Sequence, residues 1–261
     1  MNVPLPVLIG ASLKSYFSRE EGRAWFHEVS RAIAQRGDPS DVDVFVIPSY
    51  LQIHDAMSAF ADTGVRIGAQ DVSAHPHGAF TGEIPAAELS ESGVAFAEVG
   101  HAERRRLFGE SDADAAAKTA AALTYGVTPL LCLGESERVD APVAAAAVTA
   151  QLRANLTDVP TGGVVIAYEP VWAIGAASSA PREHIVTVAR ALRRALNEDP
   201  ARRGSRVIYG GSAGPGLLTA LGDDIDGLFL GRSAHDVSSF IAVVDEAAEL
   251  ARHRLRRSNR P

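Results

Sequence analysis

Short apolar runs alternate with longer amphipathic stretches along this chain. The short runs are bounded by Gly, Pro or polar residues, which is typical of buried β-strands, and the longer stretches carry apolar residues at helical spacing. Strands are predicted at residues 7–11, 44–47, 66–69, 96–99, 128–133, 164–167, 206–209 and 227–230. Helices are predicted at residues 20–35, 51–62, 85–92, 112–125, 141–156, 181–197, 215–221 and 237–254.

This alternation predicts an α/β fold with a parallel sheet and crossover helices. Eight repeats of one strand–helix unit is the number that closes into a single-domain (β/α)8 barrel, and a doubly wound open sheet is the alternative. No linker divides the chain, so residues 1–261 are expected to form one domain with a short basic tail at about 252–261. We interpret that tail as a helix end and not as a nucleic-acid arm, because cations favour a helix C-terminus.

Composition and charge narrow the choice of partners. The chain is 46% hydrophobic and 22% charged, as expected of a globular protein, and its net charge of −7 argues against nucleic acid or an acidic membrane as the main partner. No stretch has the pattern of a signal peptide or a membrane span, so a cytoplasmic location is expected. The single Cys132 excludes an intrachain disulfide and, within a predicted strand, indicates a buried thiol over a reactive one.

Candidate catalytic residues follow three of the predicted strands. In a closed parallel barrel, functional groups gather at the C-terminal ends of the strands. Glu169 directly follows the sixth run, where partial desolvation makes a carboxylate a stronger base. Lys14 follows the first run and His101 the fourth; each alone is weak evidence, because such residues are more often surface charges or packing residues. Glu103 is a candidate ion-pair partner for Lys14, and Glu169, His101 and Lys14 are expected to converge on one pocket.

Two glycine turns indicate an anion site. Gly210, Gly211 and Ser212 follow the seventh run, and Gly231 and Arg232 follow the eighth. Glycine lets backbone amides approach a ligand closely, and phosphate sites in such barrels lie after strands seven and eight. With the acidic, imidazole and ammonium groups nearby, the pattern predicts a small phosphorylated carbonyl substrate that loses and regains a proton.

Five motifs in this order resemble the triosephosphate isomerase family. They are VGHAERR at 99–105, GAFTGE at 78–83, AYEPVWAIG at 167–175, YGGS at 209–212 and CLGE at 132–135. The resemblance extends over the whole chain. It implies a TIM barrel, a homodimer and interconversion of glyceraldehyde 3-phosphate and dihydroxyacetone phosphate through an enediolate, a reaction of glycolysis and gluconeogenesis. It also implies that neither a metal nor an organic cofactor is needed.

The same resemblance implies roles for the candidate catalytic residues. Glu169 would be the base that shuttles the proton between neighbouring carbons. His101, expected to be neutral, would polarise the carbonyl and stabilise the enediolate. Lys14 would supply fixed positive charge, and Glu103 would hold it in place.

Binding segments are implied in the same way. Gly175, Ser212 and Gly231 would offer backbone amides to the phosphate, and residues 172–180 would form a lid that excludes water from the site. Residues 78–83 would form a loop that reaches into a neighbouring subunit, with Thr81 near its tip. The nearby His-Pro-His at 75–77 is interpreted as a proline-stiffened bend and not as a metal site.

The chain departs from the family pattern at several positions. Ser12 stands where Asn is usual, Arg232 replaces a Gly, Ala102 replaces a Ser and Asp71 replaces an Asn, while the lid at 176–180 lacks a Gly and a Lys. Arg232 either reaches the phosphate or points outward. Ser12 and Arg232, both counted here as substrate-binding residues, together resemble a branch that isomerises four-carbon ketose phosphates such as erythrulose phosphates.

The predicted function is therefore a triosephosphate isomerase-type enzyme, with a four-carbon ketose phosphate as the alternative substrate, for which a short residue 12 would leave room. A non-catalytic barrel is a third hypothesis, against which the retention of Glu169, His101 and Lys14 argues. A lyase or aldolase would need an isolated Schiff-base lysine, and Lys14 with Glu103 beside it is a poor candidate.

Overall fold

The computed structural model describes residues 5–36 and 41–258. Its eight strands are parallel and pair in chain order, with the first against the last, so the predicted closed (β/α)8 barrel is confirmed and the open sheet is excluded. The strands are β1 Val7–Ser12, β2 Val42–Ile47, β3 Arg66–Ala69, β4 Phe96–Val99, β5 Thr128–Leu133, β6 Val165–Tyr168, β7 Arg206–Tyr209 and β8 Gly227–Leu230.

The helices surround the barrel, and one of them was missed by the sequence analysis. The missed helix is Ala102–Phe108, which buries none of its residues and therefore shows no apolar periodicity. The helices are α1 Arg19–Ala34, α2 Ile53–Phe60, α3 Ala86–Glu91, α4 Ala102–Phe108, α5 Asp112–Thr124, α6 Ala141–Asn155, α7 Arg182–Glu198, α8 Leu217–Leu221 and α9 Val237–Ser258.

Aromatic rings fill the lower part of the barrel. Phe45 stacks on Phe96 with ring centroids 4.5 Å apart and on Phe229 at 5.9 Å. Gly10 makes room for them, since a Cβ there would lie 2.0 Å from the Phe45 ring. Burying each phenylalanine side chain contributes about 1.5–3 kcal/mol. The barrel therefore has a solid floor, and only the inward residues at the C-terminal ends of the strands can meet a ligand.

The basic C-terminal stretch continues α9 as far as Ser258. Arg254 Nε and Arg257 Nη1 lie 3.1 Å and 2.7 Å from the Asp223 carboxylate, which holds this end of the helix against the barrel. The remaining residues of the predicted tail, 259–261, lie outside the described residues. None of the described helices combines the length and hydropathy that crossing a membrane requires.

Candidate active site

Three side chains that are far apart in the sequence meet at the mouth of the barrel. Lys14 follows β1, His101 follows β4 and Glu169 follows β6. The Lys14 Nζ atom lies 3.0 Å from His101 Nε2, and His101 Nε2 lies 3.5 Å from Glu169 Oε2. An ammonium, an imidazole and a carboxylate therefore surround one point.

A cavity of about 880 Å³ opens at this point. All nine catalytic and substrate-binding residues predicted from the sequence line it. They are Ser12, Lys14, His101, Glu103, Glu169, Gly175, Ser212, Gly231 and Arg232.

Lys14 has an unusual backbone conformation that aims its side chain into the cavity. Its φ of 49° lies in the left-handed region, which costs a non-glycine residue on the order of 1 kcal/mol or more. The Lys14 carbonyl oxygen accepts a 2.8 Å hydrogen bond from Gln70 Nε2, and the ammonium lies 3.6 Å from Glu103 Oε2. Burial lowers the pKa of Lys14, but nearby carboxylates, led by Glu98 and Glu169, outweigh burial and raise it. The ammonium therefore stays charged.

His101 begins helix α4, and this position determines which ring nitrogen carries the proton. Its Nδ1 accepts a 3.1 Å hydrogen bond from the Glu103 backbone N–H, so we assign the proton of the neutral ring to Nε2. Burial lowers the pKa of His101 and outweighs the opposing effect of Glu169, which keeps the ring neutral at pH 7. The Nε2–H group and the Lys14 ammonium are both donors, so together they can bind one acceptor oxygen of a ligand.

Glu169 presents a carboxylate oxygen with no fixed partner. The residue is 7% exposed, and its Oε2 atom accepts no hydrogen bond from the part of the chain that the structure describes. Gly210 lies against the other oxygen, since a Cβ there would be 2.4 Å from Glu169 Oε1. The carboxylate therefore packs against Gly210 through one oxygen, and its other oxygen is free to accept a proton from a bound ligand.

Glu98 is a buried carboxylate at the site that the sequence analysis missed. It points into the barrel from β4, is 3% exposed and accepts a 3.0 Å hydrogen bond from Ser12 Oγ. Its Oε1 atom lies 3.8 Å from His101 Nε2. Burial raises the pKa of Glu98 to about 6, although Lys14 and Ser12 oppose this. A signal was present, because Glu98 lies two residues after inward-facing Phe96 in an otherwise apolar run.

The opposite side of the cavity presents backbone N–H groups. Among the described residues, the N–H groups of Gly175, Ser212 and Gly231 form no backbone hydrogen bond. Gly211 has a φ of 86°, a conformation that turns the chain after β7 and that favours glycine. These unpaired donors can bind an anion at the rim formed by β7 and β8.

Side chains of the same rim hold the segment 172–180 over the cavity. The single hydroxyl hydrogen of Ser212 is shared between the carbonyl oxygens of Ala173 and Ala176, at 3.0 Å and 2.7 Å. Arg232 Nη2 donates a 2.9 Å hydrogen bond to the Gly175 carbonyl oxygen. The guanidinium of Arg232 is therefore directed at this segment. This orientation differs from both alternatives considered from the sequence, in which Arg232 reaches the phosphate or points outward.

Glu135 anchors the beginning of this segment. Its carboxylate accepts hydrogen bonds from Trp172 Nε1 at 2.8 Å and Tyr168 Oη at 3.2 Å, and its Oε1 lies 2.9 Å from His184 Nε2. At the far end, the Ala180 N–H donates to the Tyr209 hydroxyl at 3.0 Å. The segment is thus attached at both ends, and residues 175–178 in its middle are exposed.

The predicted intersubunit loop, residues 78–83, projects from the barrel with Thr81 exposed. His75 stacks on Phe80 in this loop, with ring centroids 4.1 Å apart and nearly parallel planes. Thr81 does not line the 880 Å³ cavity of its own chain.

A second cavity of about 450 Å³ adjoins the first. Tyr16, Leu107 and Phe108 form its outer rim, and these apolar side chains are 57%, 60% and 69% exposed. Lys14, His101 and Glu169 form the candidate catalytic cluster. The inner end of the second cavity is formed by two of them, Lys14 and His101, together with Ser12 and Glu98.

Comparisons with known proteins agree with this geometry. Residues 7–247 match the family model described as triosephosphate isomerase. The chain is 45% identical over 250 residues to L-erythrulose-1-phosphate isomerase of Pectobacterium atrosepticum, covering 93% of this chain and 96% of that protein. It is 38% identical over 247 residues to triosephosphate isomerase of Thermus thermophilus, covering 91% and 97%. It is 37% identical over 254 residues to L-erythrulose-1-phosphate isomerase of Rhizobium etli, covering 91% of each chain.

Proposed function

Because this chain belongs to the triosephosphate isomerase family and is an enzyme of the isomerase class, we propose that it moves a carbonyl group between adjacent carbons of a small phosphorylated sugar. One observation carries the proposal. The unbonded Glu169 Oε2 and the Lys14 ammonium lie 3.5 Å and 3.0 Å from the same His101 nitrogen. A base beside two donors is the arrangement that an enediolate intermediate requires.

The proposed reaction moves one proton between two adjacent carbons and one proton between their oxygens. Glu169 removes a proton from the carbon next to the carbonyl, and the electron pair of that C–H bond moves to the carbonyl oxygen, which forms the enediolate. The His101 Nε2–H and the Lys14 ammonium stabilise the negative oxygen. The hydroxyl on the carbon that lost its proton then gives up its hydrogen and the former carbonyl oxygen gains one, with the His101 Nε2–H as the group that exchanges it. Glu169 returns its proton to the former carbonyl carbon, so the carbonyl has moved by one carbon with no net gain or loss of atoms.

In this proposal the glycine-rich rim binds the phosphate. The free N–H groups of Gly175, Ser212 and Gly231 surround the anion, and the lid, residues 172–180, covers it. Covering the site removes water, which strengthens the interactions of the enediolate with the surrounding charges. It also protects the enediolate from losing its phosphate group.

We propose a four-carbon ketose phosphate, erythrulose 1-phosphate, as the preferred substrate. The supporting observation is that Ser12 donates its hydroxyl to Glu98, at 3.0 Å, and so leaves free the volume that a longer amide side chain would occupy. The 45% identity to an L-erythrulose-1-phosphate isomerase points in the same direction. Proton transfer from C3 to C2 would move the carbonyl from C2 to C3 and give erythrulose 4-phosphate.

The interconversion of glyceraldehyde 3-phosphate and dihydroxyacetone phosphate is the second candidate. It is supported by the relatives named triosephosphate isomerase and by the same catalytic cluster, because the transferred proton lies on an equivalent carbon in both substrates. This reaction would place the enzyme in glycolysis and gluconeogenesis.

Comparative kinetics would separate these candidates. We expect kcat/KM for L-erythrulose 1-phosphate to exceed kcat/KM for dihydroxyacetone phosphate by about tenfold or more, the scale on which a pocket distinguishes one added carbon. A ratio reversed by the same factor would assign the triose reaction. If neither compound exchanges a carbon-bound proton in heavy water, the barrel is not an isomerase of these sugars.

We also propose a homodimer in which the loop 78–83 of one copy, with Thr81 near its tip, covers the outer rim of the second cavity in the other. The exposed Leu107 and Phe108 on that rim support this, because contact with a second copy would bury them. Light scattering should give twice the chain mass for the wild type. Thr81→Arg should shift the protein towards the monomer and reduce activity.

No metal or organic cofactor takes part in the proposed reaction, because His101 and Lys14 supply the electrophilic groups. Dialysis against EDTA should leave kcat unchanged.

The proposed location is the cytoplasm, where the free, buried Cys132 would remain reduced.

A further inference from the structure

Proton transfer as proposed above makes no use of the Glu98 carboxylate. Burying a carboxylate is costly unless its oxygens are paired, yet only one oxygen of Glu98 accepts a hydrogen bond, from Ser12 at 3.0 Å. The other oxygen, Oε1, lies 3.8 Å from His101 Nε2, which is beyond hydrogen-bond distance. Within the described residues, this oxygen has no hydrogen-bond donor.

The polar neighbours of Glu98 in the second cavity are already paired with other protein groups. Asp71 binds Lys118 at 2.8 Å and Arg104 at 2.8 Å. The Tyr50 hydroxyl donates to the Asp71 carbonyl oxygen at 2.6 Å, and Gln70 Nε2 donates to the Lys14 carbonyl oxygen. Glu103, another carboxylate that lines this cavity, lies 3.6 Å from the Lys14 ammonium. Oε1 of Glu98 is therefore left as an acceptor at the inner end of this cavity.

The inner end of the second cavity is continuous with the catalytic cluster. Ser12, Lys14 and His101 line both cavities, whereas Glu98 lines only the second. A further group on a ligand whose oxygens bind His101 and Lys14 can therefore extend from the first cavity into the second, towards Glu98.

A four-carbon ketose phosphate carries such a further group. In erythrulose 1-phosphate, the carbon that loses the proton bears a hydroxymethyl group, where the three-carbon substrate has only hydrogen. In the proposed reaction that carbon faces Glu169, and its own oxygen would lie near His101 Nε2. Because Glu98 Oε1 is 3.8 Å from that nitrogen, a hydroxyl one carbon further along is within reach of the carboxylate.

We propose that Glu98, oriented by Ser12, accepts a hydrogen bond from the terminal hydroxyl of a four-carbon ketose phosphate and thereby selects it over a three-carbon one. This inference rests on the proposed function and deepens it. A three-carbon substrate leaves the Glu98 oxygen unpaired, and an unpaired buried polar group is what gives such a site its discrimination. In the proposed dimer, the loop of the second copy would close the outer end of the same cavity.

The test compares two substrates on three proteins. The variants are Glu98→Leu, which removes the acceptor, and Glu98→Gln, which keeps an acceptor oxygen in the same shape. Because Glu98 lies close to Lys14 and His101, Glu98→Leu is expected to lower kcat/KM for both substrates. We expect it to lower the ratio of kcat/KM for L-erythrulose 1-phosphate to kcat/KM for dihydroxyacetone phosphate by about 30-fold or more. Glu98→Gln should restore part of the four-carbon activity, which a merely structural role would not predict.

Each outcome supports or overturns the proposal. If Glu98 serves only as a counter-charge for Lys14, both variants will lower kcat/KM for the two substrates by the same factor, and the proposal fails while the proposed function stands. If the wild type does not turn over the four-carbon substrate, the proposed four-carbon preference fails and this inference with it, and turnover of dihydroxyacetone phosphate then tests the isomerase proposal separately. Far-ultraviolet circular dichroism and thermal unfolding will identify a misfolded Glu98→Leu, in which case the ratio measured on Glu98→Gln decides.

Discussion

The two sides of the barrel mouth present different kinds of polar group. On one side, buried or half-buried side chains supply the polar groups: the charged Lys14, Glu98 and Glu169 pack within a few ångströms of the neutral His101 ring. On the other side, the donors are backbone N–H groups of glycine-rich turns, and the side chains there hold an exposed lid.

This difference matches two physical requirements. Proton transfer needs charges in fixed positions and in a low-dielectric environment, where each neighbour shifts the pKa values of the others. Binding an anion needs donors that do not titrate and that remain available while a lid moves, which backbone amides provide. We therefore expect substitutions on the charged side to affect kcat and pH dependence, and substitutions on the lid side to affect KM and closing.

The largest effect is expected for the base. Glu169→Gln keeps the shape of the side chain but removes the proton acceptor, so kcat should fall by about 10²–10⁴-fold, the range that general bases contribute. Steady-state kinetics on the better of the two substrates measure this. Glu183→Gln, at an exposed position in the first turn of α7, is the matched control and should keep wild-type kcat. A loss smaller than about tenfold would mean that another group is the base.

A smaller loss is expected when the base is displaced and not removed. In Gly210→Ala, the added Cβ would lie 2.4 Å from Glu169 Oε1, so the carboxylate must shift. Misplacing a reacting group by about 1 Å can cost on the order of 100-fold in rate. We expect a 10–100-fold lower kcat with little change in KM, because the phosphate donors are not disturbed. An unchanged kcat would show that the carboxylate has room to move without loss.

The buried charge should also produce a measurable pH dependence of stability. The pKa of Glu98 is raised from 4.5 to about 6, so this group contributes stability that is fully present below pH 4.5 and lost as pH rises through 6. Relative to Glu98→Gln, the wild type should lose about 2 kcal/mol of unfolding free energy between pH 4.5 and pH 8. Urea unfolding at several pH values measures this, and parallel curves for the two proteins would contradict it.

The smallest effect is expected on the lid side. Arg232→Ala removes the 2.9 Å hydrogen bond to the Gly175 carbonyl oxygen, which lies at an exposed position. An interaction of this kind contributes about 0.5–1 kcal/mol, so KM should rise by about two- to fivefold. Arg194→Ala, exposed on α7, is the control. A loss as large as that of Glu169→Gln would mean that the division between the two sides is wrong.

Much of the fold could be predicted because the signal is local. Strand runs alternate with amphipathic stretches, and the predicted strands differ from the observed ones by two residues at most. Helix α4 escaped notice because it buries no residue, so no apolar period marks it. The candidate site residues could be chosen because strand ends gather at one rim of a parallel barrel.

Pairings between distant residues could not be predicted in the same way. The contact of Ser12 with Glu98 joins residues 86 positions apart, and it depends on both strands turning these residues inward at the same level. The direction of Arg232 depends on where the lid lies, and that is set by contacts from Ser212, Tyr209 and Glu135.

The sequence by itself determined the number of strand–helix units, the order of the elements and the chemical groups available at each strand end, because periodicity and residue type act over a few neighbouring positions. Only the tertiary structure decided which of these groups touch, which oxygen of Glu98 is left unpaired and which side of the mouth carries the charge. These properties arise when the barrel closes and burial brings distant side chains within hydrogen-bond distance, and burial also changes their pKa values.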